Sequence, residues 1–305
     1  MGHGHSHGHD HRGHVHTAAF HSKQKLLLVC GLTTFFLVIE IVGGWLTKSL
    51  ALLADAGHMF ADVSGLALAL LSIKLAERAA TPERTYGYYR AEILTALLNS
   101  VFLICVSFYL FYEAYQRFYE PVQVNSQVML GVAIAGLAIN VLGLFILSGA
   151  SKESLSLRGV YLELFADALA SVGVIVAALV IWTTGWLYAD PIVSVAIGLF
   201  ILPRTWGLLQ EAVGVLLEGT PSDINISSLR EAITLVEGVA AAHDLHVWTL
   251  SSGVNAMSVH VVLNDGFHYD EVRVEVQKKV TSGFKIAHLT IQVEAIGCAE
   301  SETHL

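Results

Sequence analysis

Six stretches of the chain stay apolar for about the 20 residues that a helix needs to cross a bilayer. They fall near 26–46, 50–73, 92–116, 127–148, 159–183 and 189–209, and each predicts a membrane-spanning helix. Past residue 210 the pattern changes. "SSLREAITLVEGV" has helical spacing, "AHDLHVWTL" and "AMSVHVVL" alternate as strands do, "YDEVRVEVQKKV" is helical again and "LTIQVEAI" alternates. The order α-β-β-α-β predicts a small open α/β domain with helices packed on one sheet. The expected fold is a membrane α-helical, six-span bundle followed by that domain. Its expected divisions are a histidine-rich, disordered tail (1–22), a six-span membrane domain (23–210) and a small C-terminal α/β domain (211–305).

Composition and charge sharpen this outline. The chain is 54% hydrophobic and only 14% charged, with a mean hydropathy of +0.60, against about 25% charged residues in soluble domains. The net charge is −9, yet from Glu211 onward thirteen acids minus five bases already give −8. The tail and the loops after spans two, four and six carry ten basic residues, from Arg12 to Arg204, whereas the opposite loops carry Lys48 and Arg117. That asymmetry predicts both termini in the cytoplasm. The start, "MGHGHSHGHDHRGHVH", has no apolar core for a signal peptide. Cys30, Cys105 and Cys298 form no metal-finger or disulfide pattern. An acidic soluble domain gives no case for nucleic-acid binding. No P-loop and no H-E-x-x-H helix appears, so no enzyme is expected.

The chemistry lies where the helices should be greasy. "LLADAGHMFADVSG" carries Asp55, His58 and Asp62 at spacings of three and four; "YLELFADALA" carries Glu163 and Asp167. His58/Asp62 and Glu163/Asp167 are i, i+4 pairs, each on one helical face. A charge inside a span costs roughly 2.5–3.5 kcal/mol on insertion scales, so four uncompensated groups would cost on the order of 10 kcal/mol. With every Lys and Arg assigned to a loop or span end, no basic partner stands nearby. A divalent cation supplies the missing charge, and one imidazole with three carboxylates suits Zn²⁺ or a similar first-row ion. The alternative is local hydrogen bonding within each pair. Asp55 is a marginal ligand, and Glu40, Asn99 and Asn140 are read as interhelical hydrogen-bonding groups. "HMFAD" in span two and "ELFAD" in span five echo one another, as an inverted repeat with a midplane site would. Outside the spans, eight of the fifteen histidines lie within the first 21 residues, a loose capture tract. His243, His246, His260, His268 and His288 gather in the last domain with Glu294.

The stretches "SLALLADAGHMFADVSGLALALLSI", "TYGYYRAEILTALLNS", "YLELFADALASVGVIVAAL" and "AHDLHVWTL" together resemble the cation diffusion facilitator family, across residues 20–296, most closely its bacterial cobalt–zinc–cadmium resistance branch. The resemblance implies a homodimer in the bacterial inner membrane that exchanges Zn²⁺, Co²⁺ or Cd²⁺ for protons. Metal is then substrate and regulatory ligand rather than catalytic cofactor. It also implies that His58, Asp62 and Asp167 are transport ligands, with Glu163 where zinc members commonly carry His. The cytoplasmic ligand positions fall on His243, His260, His268 and Glu294, with Gln292 where the pattern sometimes has a histidine. The loop between spans two and three, which holds an extra site in some members, contains no histidine. A membrane-tethered metal sensor or buffer without transport is the alternative function.

Overall fold

The structure, a computed structural model, describes residues 12–76, 80–148, 155–286 and 288–294. Its elements are α1 (Arg12–Thr47), α2 (Leu50–Ala76), α3 (Ala91–Tyr119), α4 (Ser126–Leu147), α5 (Leu155–Thr184), α6 (Ala189–Leu216), α7 (Ile226–Thr234), β1 (Val239–Ser251), β2 (Val254–Leu263), α8 (Tyr269–Phe284) and β3 (His288–Glu294). Among the described residues, five helical segments are long and apolar enough to cross a membrane: Leu28–Thr47, Ala91–Tyr119, Ser126–Leu147, Val160–Thr184 and Ala189–Leu216. The other long helix, α2, carries Asp55, His58 and Asp62. Helix α1 starts at Arg12, so residues 12–22, expected within the tail, are helical. Residues 1–11, with five of the tail's eight histidines, and Cys298 lie outside the described residues.

The chain forms two compact units, Met1–Leu66 with Phe102–Thr205 and Ala67–Val101 with Trp206–Leu305. In the first, α4 packs against both α1 and α5. Glycines set how close they come. A Cβ on Gly136 of α4 would stand 2.5 Å from the Phe36 ring of α1, and one on Gly143 would stand 2.9 Å from Leu164 of α5. On α6, Gly198 meets Phe111 of α3 in the same way, at 2.6 Å. Small residues at helix contacts are the usual means of close packing where lipid removes the hydrophobic drive between helices. Leu50, Leu52, Met129 and Val174 are fully buried at the core of this unit. Phe35, Phe108, Phe145 and Phe200 point outward, as a lipid solvent allows. Trp45, Tyr119 and Trp182 are exposed where α1, α3 and α5 finish, the arrangement of an interfacial aromatic belt.

The turn from α1 into α2 is only two residues long, with Lys48 at φ 58°. The Ser49 hydroxyl accepts from the Leu52 N–H (3.1 Å) and donates to Asp190 (2.6 Å) at the start of α6. Asp190, fully buried, also accepts from the N–H groups of Leu50 (2.7 Å) and Ala51 (3.2 Å). A carboxylate there satisfies donors that every helix start leaves open and complements the helix dipole. Arg117 near the end of α3 closes the network, donating to Asp190 at 3.1 Å and to the Lys48 carbonyl at 2.7 Å. Sequence reading placed Arg117 in a loop; it is instead buried inside α3.

In the second unit, β1 and β2 are antiparallel through a turn at Gly253 (φ 75°), and β3 runs parallel to β2 after α8, giving the sheet order β1-β2-β3. Helix α7 begins at Asn225, whose side chain accepts from the Ser228 N–H at 3.0 Å. Val247, Met257, Val259, Val261 and Val293 line one sheet face against Leu229 and Ile233 of α7 and Val272, Val276 and Val280 of α8. The observed order is the α-β-β-α-β expected from the alternation. Strand period then sends His260, between Val259 and Val261, to the opposite face. A β-bulge between His243 and His246 inserts one residue relative to β2, with Asp244 in the left-handed region at φ 49°.

Replacing Asp190 with alanine strips Arg117 and the start of α2 of their shared partner. Breaking a buried pair from one side costs about 3–5 kcal/mol. The Asp190→Ala protein is expected to melt well below wild type in detergent, by circular dichroism, with its helix content otherwise retained.

Candidate metal centres

Helices α2 and α5 bring three of the four expected intramembrane ligands together. His58 Nε2 lies 3.5 Å from Asp62 Oδ2 and 3.6 Å from Asp167 Oδ1, and the three donor atoms lie within 4.8 Å of one another. His58 and Asp167 are buried, at 9% and 5% exposure. Asp62 Oδ2, Asp167 Oδ1 and His58 Nδ1 have no hydrogen-bond partner although they are shielded from solvent. Buried polar atoms left that way are costly, and native proteins rarely tolerate them without a reason. Donors bound at about 2.0–2.2 Å in a tetrahedron stand roughly 3.3–3.6 Å apart. The two measured separations fall in that window.

Glu163 is not part of this grouping. Its Oε1 accepts a hydrogen bond from Arg204 Nη2 at 2.8 Å. Arg204, which the charge count assigned to the loop after span six, lies inside α6, directly after Pro203. The premise that no basic group stands near the four ionisable positions is therefore corrected for Glu163. Asp55 also stays outside the cluster: its carboxyl, buried, hydrogen-bonds Glu40 of α1. Asn140 is buried with both amide atoms unpartnered, and Asn99 is half-buried. A cavity of about 270 Å³ reaches His58 between α5 and α6, lined mainly by apolar residues such as Leu169, Ile197 and Phe200.

The second unit holds another cluster. Register pairs His243 with His260 across β1 and β2, and Val262 with Glu294 across β2 and β3. Glu294 Oε2 lies 3.3 Å from His243 Nε2, and its Oε1 lies 3.0 Å from His260 Nδ1. Partial burial works against the Glu294 charge, yet hydrogen bonds from Gln292 and His243 and the neighbouring imidazoles hold its carboxyl below the usual range. Such a carboxylate is ionised and ready to ligate at neutral pH. The other nitrogen of His260 faces Asp244 at 3.6 Å, and His246 meets Asp244 at 2.9 Å. Asp244 went unnoticed in the sequence because strand alternation alone does not announce a bulge. His268 sits at the N-cap of α8 and His288 stands edge-on to Tyr86; neither joins His243, His260 and Glu294 among the described residues.

The chain thus carries one histidine–carboxylate cluster between two apolar helices and a second on the small sheet. Comparison with known proteins places it further. Residues 26–217 match the family model "Cation efflux transmembrane domain", and residues 221–296 match "Cation efflux protein, cytoplasmic domain". The chain is 43% identical over 291 residues to the metal cation efflux system protein CzcD of Cupriavidus metallidurans, covering 95% of this chain and 92% of that one. It is 42% identical over 287 residues to a cadmium, cobalt and zinc/H(+)-K(+) antiporter of Bacillus velezensis, covering 92% of each. Against the zinc transporter ZitB of Escherichia coli it is 36% identical over 298 residues, covering 96% and 95%. The chain belongs to the cation efflux (cation diffusion facilitator) family, in its CzcD-like branch.

Asp62→Asn and Asp167→Asn each keep side-chain size while removing a charged donor. Either protein is expected to insert and melt normally but to lose metal flux by more than about tenfold, since even groups that only support a ligand are worth 10–100-fold. Radiometal uptake into reconstituted vesicles measures this; near-normal flux would remove these residues from the transport path.

Proposed function

We propose that the chain is a proton-coupled antiporter that exports Zn²⁺, and also Co²⁺ and Cd²⁺, from the bacterial cytoplasm across the inner membrane. The observation that carries this reading is the His58/Asp62/Asp167 cluster, whose donor separations fit a single ion of this class. With α2 counted as the sixth span, both termini lie in the cytoplasm. Metal enters from that side, binds between α2 and α5, and leaves after the bundle reorganises around it. Metal and protons compete for the same imidazole and carboxylates, so protons arriving from the outer side displace the ion. The names of relatives described as cadmium, cobalt and zinc antiporters support the metal range and the coupling.

The working unit is a homodimer, in keeping with the word dimer in the short name of the family model that matches residues 221–296. Each such domain brings a charge near −8, screened over only about 8 Å at physiological salt. Cation bound at His243, His260 and Glu294 relieves that repulsion and acts as a regulatory ligand.

The direct test is flux in proteoliposomes under a set pH gradient. Zinc transport is expected to accelerate when the acceptor side is acidic and to fall to leak when an ionophore collapses the gradient. Flux indifferent to the gradient would rule out proton coupling. In detergent, zinc is expected to shift the full-length chain toward the dimer in sedimentation, and His243→Ala with Glu294→Ala to abolish that shift while leaving the α2–α5 cluster intact.

A further inference from the structure

The pair formed by Glu163 and Arg204 lies outside any role assigned above. Glu163 is one helical turn before Asp167 on the same face of α5, about 6 Å along the axis. It is close enough for its charge to act on both Asp62 and Asp167. The Arg204 guanidinium acts in turn on His58, Asp62 and Asp167. The link between Glu163 and Arg204 is a single hydrogen bond of 2.8 Å, and the Arg204 side chain is 58% exposed. Exposed ion pairs of that kind are weak and readily exchanged. Pro203, immediately before Arg204, removes a backbone hydrogen bond from α6 and so loosens the segment that presents the guanidinium.

Resting on the reading of His58, Asp62 and Asp167 as the transport site, we infer that Arg204 is a specificity-determining counter-ion of that site, which holds Glu163 back from the metal. The charge balance explains why such a group is needed. Three carboxylates and a neutral imidazole sum to −3, and a divalent ion would leave −1 in a medium of low dielectric. With the guanidinium included the set is −2, which a divalent ion neutralises. Arg204 and the metal then compete for Glu163. An ion satisfied by His58 and two carboxylates binds without disturbing the pair. An ion that requires more oxygen donors, as Co²⁺ and Mn²⁺ do relative to Zn²⁺, must first take Glu163 from Arg204. The pair thus selects against harder ions, although the carboxylate itself would suit them.

The experiment uses the full-length chain in proteoliposomes at a fixed pH gradient. Initial flux is measured against concentration of Zn²⁺, Co²⁺ and Mn²⁺ for wild type, Arg204→Gln, Arg204→Lys, Glu163→Gln and the Glu163→Gln/Arg204→Gln double variant. Arg204→Gln is expected to lower KM for Co²⁺ and Mn²⁺ by about two- to fivefold, the range that an exposed ion pair commands, with a smaller change for Zn²⁺. Its maximal rate is expected to fall, because a permanently available fourth donor slows release. Arg204→Lys should keep wild-type KM values. Once Glu163 is already Gln, Arg204→Gln should shift the three KM values alike, because only the charge acting on His58, Asp62 and Asp167 is then lost. The selective part of the effect belongs to the pair. An equal KM shift for all three metals, accompanied by a lower melting temperature, would mark Arg204 as a tie between α5 and α6 and overturn the inference. So would a metal-selective Arg204→Gln effect that persists without the Glu163 carboxylate, or an Arg204→Lys protein that behaves like Arg204→Gln. If Glu163→Gln alone leaves every KM unchanged, Glu163 is no ligand and the inference fails. The His58/Asp62/Asp167 assignment is judged separately, by loss of flux in Asp167→Asn.

Discussion

Everything in the membrane unit turns on the cost of placing charge where water cannot reach it. Each ionisable group inside a span must find a partner or be paid for by the rest of the fold. The helices answer in two ways. Asp190 is buried outright and is met by Arg117, the Ser49 hydroxyl and two N–H groups of α2, so each of its oxygens accepts at least two hydrogen bonds. His58, Asp62 and Asp167 are given no such partners: their donor atoms converge on one another instead. The first arrangement ties α2, α3 and α6 together at one end of the bundle. The second leaves buried donor atoms facing one another without hydrogen-bond partners, which is why one is read as scaffold and the other is proposed as a transport site.

Close helix approach keeps that arrangement in place. Gly136 and Gly143 give the Phe36 ring of α1 and the Leu164 side chain of α5 room to seat directly on the α4 backbone, and Leu164 lies three residues before Asp167. Packing at van der Waals distance allows little of the adjustment by which a loose site would satisfy its own carboxylates. A small residue at a helix crossing therefore bears on the chemistry several residues away. Asp55, only three residues from His58, is turned instead to Glu40 of α1 and is lost to the cluster.

Much of this was legible in the linear pattern. Runs of spanning length marked α1 to α6, alternation marked β1 to β3, and the i, i+4 rule placed His58 and Asp62 on one stripe. What escaped notice had a common cause: pattern reading assigns residues to elements but does not say where elements meet. Arg204 was counted with the loop charges after span six, yet α6 continues through Pro203 and Arg204 and sets the guanidinium against Glu163. Arg117 follows an apolar run and looks like a loop-side charge, although the helix extends past it and buries it. Asp244 was invisible for a different reason, since an extra residue in one strand only becomes apparent when its partner strand is known. His268 failed as a neighbour of Glu294 because helix α8 fixes it at its own start rather than on the sheet face.

The two clusters are built from the same residue types but sit in different dielectrics, and that difference divides their labour. On the sheet, His243, His260 and Glu294 are within reach of water, and Glu294 keeps its charge through hydrogen bonds and imidazole contacts alone. Its charge need not be balanced at every moment, because solvent and salt screen what is left over. Such a site can fill and empty without a compensating charge moving with the ion, which suits the regulatory role proposed for it. Between α2 and α5 no comparable screening exists, so each arrival or departure of an ion must be matched by another charge. Protons can do this, since they bind the same oxygens and nitrogens that the metal vacates. A fixed guanidinium cannot travel, but it can set how much charge the protons have left to balance. The proposed coupling of metal to protons is then a consequence of where the carboxylates are buried rather than a separate device added to the fold.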